Sequence, residues 1–108
     1  MIRLKPGVSL KGLQPQAAVM LAIVASVYRD MGAQDCWVTS ANDSTHGTNS
    51  LHYKGLALDF RTHGLRESGV DPEEVTERVK AALGREFDVI LEDRFGVNEH
   101  VHAEYDIA

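Results

Sequence analysis

Residues 50–60 read SLHYKGLALDF. Asp59 stands inside an otherwise apolar run, seven residues after His52 and four after Gly55. LALDF, 56–60, reads as a strand with Leu56, Leu58 and Phe60 on one face and Ala57 and Asp59 on the other. A carboxylate among apolar neighbours costs free energy unless it is paired or binds a metal. Seven extended residues span roughly 23 Å, whereas each ligand of a zinc ion lies about 2 Å from it. His52 and Asp59 can share a metal only if the chain turns between them, and Gly55 is the residue that permits the turn. Ala57, one strand repeat before Asp59, keeps that face small enough for a bulky group to approach.

A second stretch carries complementary chemistry. HVHAEYDI, from residue 100, alternates and reads as the last strand. His100, His102 and Glu104 fall on one face, while Val101 and Ala103 face the core. Glu99 precedes His102 by three residues. A metal-activated water needs three protein ligands, an open position and a nearby base that is not a ligand. His52, Asp59 and His102 are the candidate ligands and Glu99 the candidate base. An alternative set stays open, because a His-x-His pair on one strand, His100 with His102, can chelate a metal by itself and leave Glu99 merely solvated.

Outward from these stretches, the rest of the chain supplies a scaffold. QPQAAVMLAIVASVYRDMG, 14–32, reads as a helix with Pro15 in its first turn and Gly32 at its stop. Its apolar residues run almost all round, which predicts deep burial. CWVTS, 36–40, reads as a short strand, and ANDSTHGTN, 41–49, as a polar loop. DPEEVTERVKAALG is a second helix with Asp71 as N-cap, Pro72 in the first position and Gly84 at its end. Glu73, Glu74 and Glu77 form its solvated face. FDVILE, 87–92, is a strand and DRFGVN a turn. This order predicts an α+β fold: a small antiparallel sheet with helices packed on one face, the other face free to carry a site.

The chain has 108 residues, the size of a single domain spanning 1–108. Its 44% hydrophobic and 25% charged content are those of a globular protein. A net charge of −5 argues against nucleic acid or an anionic membrane as partner. The single cysteine, Cys36, cannot close an internal disulfide, and it is expected to lie with Trp37 in the core or beside the site. No stretch is long and apolar enough to span a membrane, and MIRLKPGVSLKG lacks the apolar centre of a signal peptide. The expectation is a monomer that is cytoplasmic as synthesised, with phage lysis or virion delivery as a route to the cell wall.

SLHYKGLALD resembles the SxHxxGxAxD motif of the D-Ala-D-Ala carboxypeptidase and hedgehog-type zinc peptidases at Ser50, His52, Gly55, Ala57 and Asp59, and EHVH, 99–102, is similar to that family's ExxH element. The resemblance covers about residues 36–105. It implies zinc as cofactor, held by His52, Asp59 and His102, and Glu99 as general base. It also implies a hedgehog/DD-peptidase-like fold and hydrolysis of peptide bonds next to D-amino acids in peptidoglycan peptides, as in an endolysin. Ser50 is expected to order the turn before His52, and Ser50 and His46 are the candidates for substrate contact. The chain departs from the family in one respect. Where many members carry an SGYR-like segment whose Arg holds substrate or oxyanion, this chain reads TSANDS, and His46, Lys54 and Arg61 are the cations left for that task. A non-catalytic, metal-stabilised module of the same fold is the alternative reading.

Overall fold

The computed structural model describes residues 1–41 and 55–106. Five strands and two helices follow one another as β1 (Ile2–Leu4), α1 (Pro15–Asp30), β2 (Cys36–Ser40), β3 (Ala57–Arg61), α2 (Pro72–Leu83), β4 (Phe87–Glu92) and β5 (His100–Tyr105), with a short 3-10 turn at Arg66–Ser68. The strands form one mixed sheet in the order β1-β2-β3-β5-β4. β1 runs parallel to β2, and every other pairing is antiparallel. The α+β class and the largely antiparallel sheet agree with the sequence reading. β1 was not anticipated: its three residues are all exposed, so no alternation marks it.

Both helices cover the same face of the sheet. Val38, Leu58, Phe60, Val89, Val101 and Ala103 point into one hydrophobic cluster with Ala17, Met20, Val24 and Tyr28 of α1 and Val75 and Val79 of α2. Strand alternation does this without further instruction, because alternate side chains leave opposite faces.

α1 corrects one expectation. It is not buried on all sides: Ala17, Met20, Leu21, Val24 and Tyr28 form a stripe at helical spacing, while Ala18, Val19 and Ala22 lie at the surface. Small side chains on its outer face expose little apolar area, which is why composition alone overstated its burial. α2 ends where its caps predict. Asp71 accepts a hydrogen bond from the Glu73 backbone N–H at 3.1 Å, Pro72 opens the helix and Gly84 closes it.

Two contacts tie α1 to β3. The buried Tyr28 hydroxyl donates to the Arg61 carbonyl at 2.9 Å. At the other end, the Gln14 backbone N–H donates to the Gly55 carbonyl at 2.9 Å. Gly55 has a φ of 71°, as the expected turn requires. A Cβ there would also strike the Gly12 carbonyl oxygen, so the position is closed to other residues for a second reason.

Among the described residues, no helix is long and apolar enough to cross a membrane.

Candidate metal centre on the open sheet face

The face of the sheet turned away from both helices is built from three rows of cross-strand partners. Asp59 of β3 pairs with His102 of β5, which pairs with Ile90 of β4. One strand repeat away, Arg61 pairs with His100 and His100 with Glu92; in the other direction Ala57 pairs with Glu104 and Glu104 with Asp88. Inserting β5 between β3 and β4 therefore surrounds two histidines with carboxylates.

Asp59 and His102, expected to share a metal, meet directly. His102 Nδ1 lies 2.7 Å from Asp59 Oδ1, and His102 Nε2 lies 2.6 Å from Glu104 Oε1. Burial pushes the His102 pKa down, but its bonds to Asp59 and Glu104 outweigh that and raise it from 6.5 to about 9. Without metal the ring is thus an imidazolium clasped between two carboxylates.

This donor set fits a divalent ion. Asp59 and His102 are ligand types that zinc favours. Two atoms each about 2.1 Å from a tetrahedral ion stand about 3.4 Å apart. The 2.7 Å pair needs to open by only roughly 0.7 Å, which side-chain rotation supplies. Glu104 on the far nitrogen is the second carboxylate that commonly orients a metal-bound imidazole and fixes its tautomer. Glu104 was placed on this face from the sequence but given no role there.

The expected third ligand, His52, lies outside the described residues, as do Ser50, His46 and Lys54. A neighbouring set lies within them. Asp59, Glu92 and His100 bring one ligand atom each within 4.8 Å of one another. His100 Nε2 is 3.3 Å from Glu92 Oε1 and 3.7 Å from Asp59 Oδ1, while its Nδ1 contacts the Asn98 carbonyl at 2.7 Å. Glu92 was missed by the sequence reading. The alternation of FDVILE puts it on a face with Asp88 and Ile90, but only the β4–β5 register brings it opposite His100.

Glu99, the expected base, is differently engaged. It stands one residue before β5, outside the strand's alternation. Its carboxylate takes Arg66 Nη1 on Oε1 at 3.0 Å and Nη2 on Oε2 at 2.7 Å, the Thr62 hydroxyl on Oε1 at 2.6 Å and the Phe95 backbone N–H on Oε2 at 2.8 Å. The side chain is only 6% exposed. Burial pushes its pKa up, but the Arg66, Phe95 and Thr62 hydrogen bonds, helped by the Arg66 charge, hold it down at about 2. In this arrangement Glu99 is an ionised, fully satisfied acceptor, not a solvated one. Sequence spacing carried no hint of Arg66, which lies 33 residues away.

Two smaller expectations also have outcomes. Ala57 is 1% exposed, so the space beside it is filled and it does not open the face to a bulky group. Cys36 is buried, and burial pushes its thiol up to about 12, which leaves it an inert core residue.

No protein-family model matches the chain, and no curated protein matches its sequence.

Proposed function

We propose that the chain is a zinc-dependent metallopeptidase, of hedgehog/DD-peptidase-like fold, that hydrolyses peptide bonds next to D-amino acids in peptidoglycan peptides. The observation that carries the reading is the 2.7 Å approach of His102 Nδ1 to Asp59 Oδ1 on the sheet face opposite the helices, with Glu104 on the other ring nitrogen. The two residues come from sequence elements 43 positions apart, and both occupy ligand positions of the SxHxxGxAxD and ExxH pattern.

Asp59 and His102, with His52, would hold the ion, which when bound lowers the pKa of a coordinated water and polarises a carbonyl. The protein's own groups do the rest. Glu104 keeps the His102 Nδ1 lone pair directed beside Asp59 by accepting from Nε2–H. Glu99 takes a proton from the attacking water and returns it to the leaving amine. A carboxylate with a pKa near 2 is a weak base at neutral pH, so this role requires Arg66 to release it when substrate binds.

A second reading, a metal-stabilised binding or structural module without turnover, is favoured by that same Arg66–Glu99 ion pair. Metal analysis coupled to digestion of purified peptidoglycan, with products read by mass spectrometry, separates the two. The enzyme releases defined muropeptide fragments, and Glu99→Gln keeps the metal while losing hydrolysis. Bound metal with no product from either form supports the module. Unchanged zinc content in both Asp59→Ala and His102→Ala removes the metal centre from both readings.

A further inference from the structure

The sheet face opposite the helices gathers more metal-ligand chemistry than one ion uses. Asp59, Glu92 and His100 each offer one ligand atom, all within 4.8 Å of one another. They arrive from β3, β4 and β5 through the cross-strand rows Arg61–His100–Glu92 and Asp59–His102–Ile90. Neither Glu92 nor His100 occupies a ligand position of the SxHxxGxAxD and ExxH pattern. Glu92 Oε1 also lies 3.8 Å from His102 Nδ1. The set therefore adjoins the Asp59–His102 pair and shares Asp59 with it.

The two histidines are held in different ways. At His102, the contacts of 2.7 Å to Asp59 and 2.6 Å to Glu104 have hydrogen-bond lengths. At His100, Nε2 stands 3.3 Å from Glu92 Oε1 and 3.7 Å from Asp59 Oδ1, beyond the roughly 2.7–3.2 Å of an N–H···O bond. Those separations are close to the about 3.4 Å between two ligand atoms of a tetrahedral ion. The other ring nitrogen supports the same assignment. His100 Nδ1 lies 2.7 Å from the Asn98 carbonyl, which can only accept, so Nδ1 carries a proton. The neutral ring then turns its Nε2 lone pair toward the two carboxylates, and three acceptors facing one another require a cation between them. A backbone carbonyl on the far nitrogen is also a common way to orient a ligating imidazole.

We infer that Asp59, Glu92 and His100 form a second divalent-cation site, with Asp59 bridging it to the ion held by His102. One imidazole with two carboxylates suits zinc or manganese. The Glu92 side chain is half-exposed, which leaves room for water to complete the shell. Two ions in hydrolytic two-metal sites stand about 3.5–4 Å apart, and together they stabilise the attacking and departing oxygens. A second ion also puts fixed positive charge beside the site in a chain whose TSANDS segment carries no arginine. The inference rests on the metal centre of the proposed function, not on its peptide hydrolysis, and makes that centre binuclear.

The test counts ions. Zinc is titrated into the metal-free protein and followed by isothermal calorimetry and native mass spectrometry, and zinc-edge anomalous diffraction locates each ion. Two zinc ions per chain are expected, the second bound more weakly, with anomalous peaks about 3.5–4 Å apart. Glu92→Ala and His100→Gln are each expected to keep the tight ion and lose the second. Asp59→Ala loses the second and weakens the first. Glu92 lies outside the core, so Glu92→Ala stays folded by circular dichroism and decides the matter even if His100→Gln does not fold. One zinc per chain in the parent protein, or a second zinc that survives in Glu92→Ala and in a folded His100→Gln protein, overturns the inference. Loss of all zinc in Glu92→Ala also overturns it, because a single ion is then shared by the whole cluster. The two readings fail separately. Two bound ions with no hydrolysis of any wall peptide sink the peptidase and leave the second site. Hydrolysis by a protein that holds one zinc does the reverse.

Discussion

His102 and Asp59 face each other across the β3–β5 register, Nδ1 to Oδ1 at 2.7 Å, while the same imidazole reaches Glu104 through Nε2 at 2.6 Å. The ring is oriented from both sides before any ion arrives. Carboxylate contact on the second nitrogen is what holds a ligating imidazole in one tautomer. Glu104→Ala is therefore expected to weaken zinc binding by about 10–100-fold, measured by competition with a chromophoric chelator. An unchanged affinity means that Glu104 does not position the ring.

Glu99 makes stability depend on acid. Its folded pKa, about 2, lies below the ordinary 4.5. A group depressed on folding stabilises the protein fully above its unfolded value, and that contribution disappears as pH falls through the folded value. Unfolding free energy is expected to decline between about pH 4.5 and 2. In Arg66→Gln the decline from this group becomes shallower, as denaturant melts across that range will show. If Glu99 is also the base, the acid limb of kcat/KM in Arg66→Gln moves to higher pH, because the carboxylate now holds its proton more tightly.

Thr62 is 3% exposed, and its hydroxyl donates to the ionised Glu99 at 2.6 Å. Thr62→Val keeps the shape and removes a charge-assisted bond, for an expected loss of about 1.5–3 kcal/mol. Urea unfolding of the single variants and of Thr62→Val with Glu99→Gln measures it. Additive losses in the double variant would show that the two side chains are not coupled.

Gly55 combines a φ of 71° with backbone contact to Gly12. Gly55→Ala is expected to cost at least about 1–3 kcal/mol from the left-handed backbone alone. It also pushes the 12–14 segment away from the start of β3, loosening the Gln14–Gly55 hydrogen bond. Hydrogen exchange at the Gln14 amide reads this locally, and protection equal to the parent protein's would contradict it.

Tyr28 anchors α1 to the carbonyl of Arg61. Tyr28→Phe retains the aromatic contact with Phe60, whose ring centroid lies 6.4 Å away, and removes only the hydroxyl. The expected loss is about 1–2 kcal/mol, since a partly buried carbonyl loses this donor. Thermal melts supply the measurement.

Much of the architecture was legible in the sequence because it depends on local periodicity. CWVTS and FDVILE matched β2 and β4 residue for residue, and β5 begins at His100 as read. Alternation put His100, His102 and Glu104 on one face and Val101 and Ala103 on the other, and the caps at Asp71, Pro72 and Gly84 bounded α2. Gly55 marked its own turn, since few other residues adopt that backbone. β3 slipped by one residue, to Ala57–Arg61, as strand ends commonly do when pairing partners are unknown.

Tertiary structure alone decided the rest. The sheet order, with β5 between β3 and β4, is set by how apolar faces stack on α1 and α2, a property of all the elements at once. That order brings Glu92 to His100 and Asp59 to His102, and the β2–β3 pairing sets Arg61 over Trp37. It also delivers Arg66 to Glu99 across 33 residues, engaging the expected base in an ion pair whose carboxylate is buried and whose guanidinium is exposed. Periodicity tells which face a side chain occupies. Whether a charge on that face is paired depends on side chains that arrive from elsewhere in the chain, and no local pattern encodes their arrival.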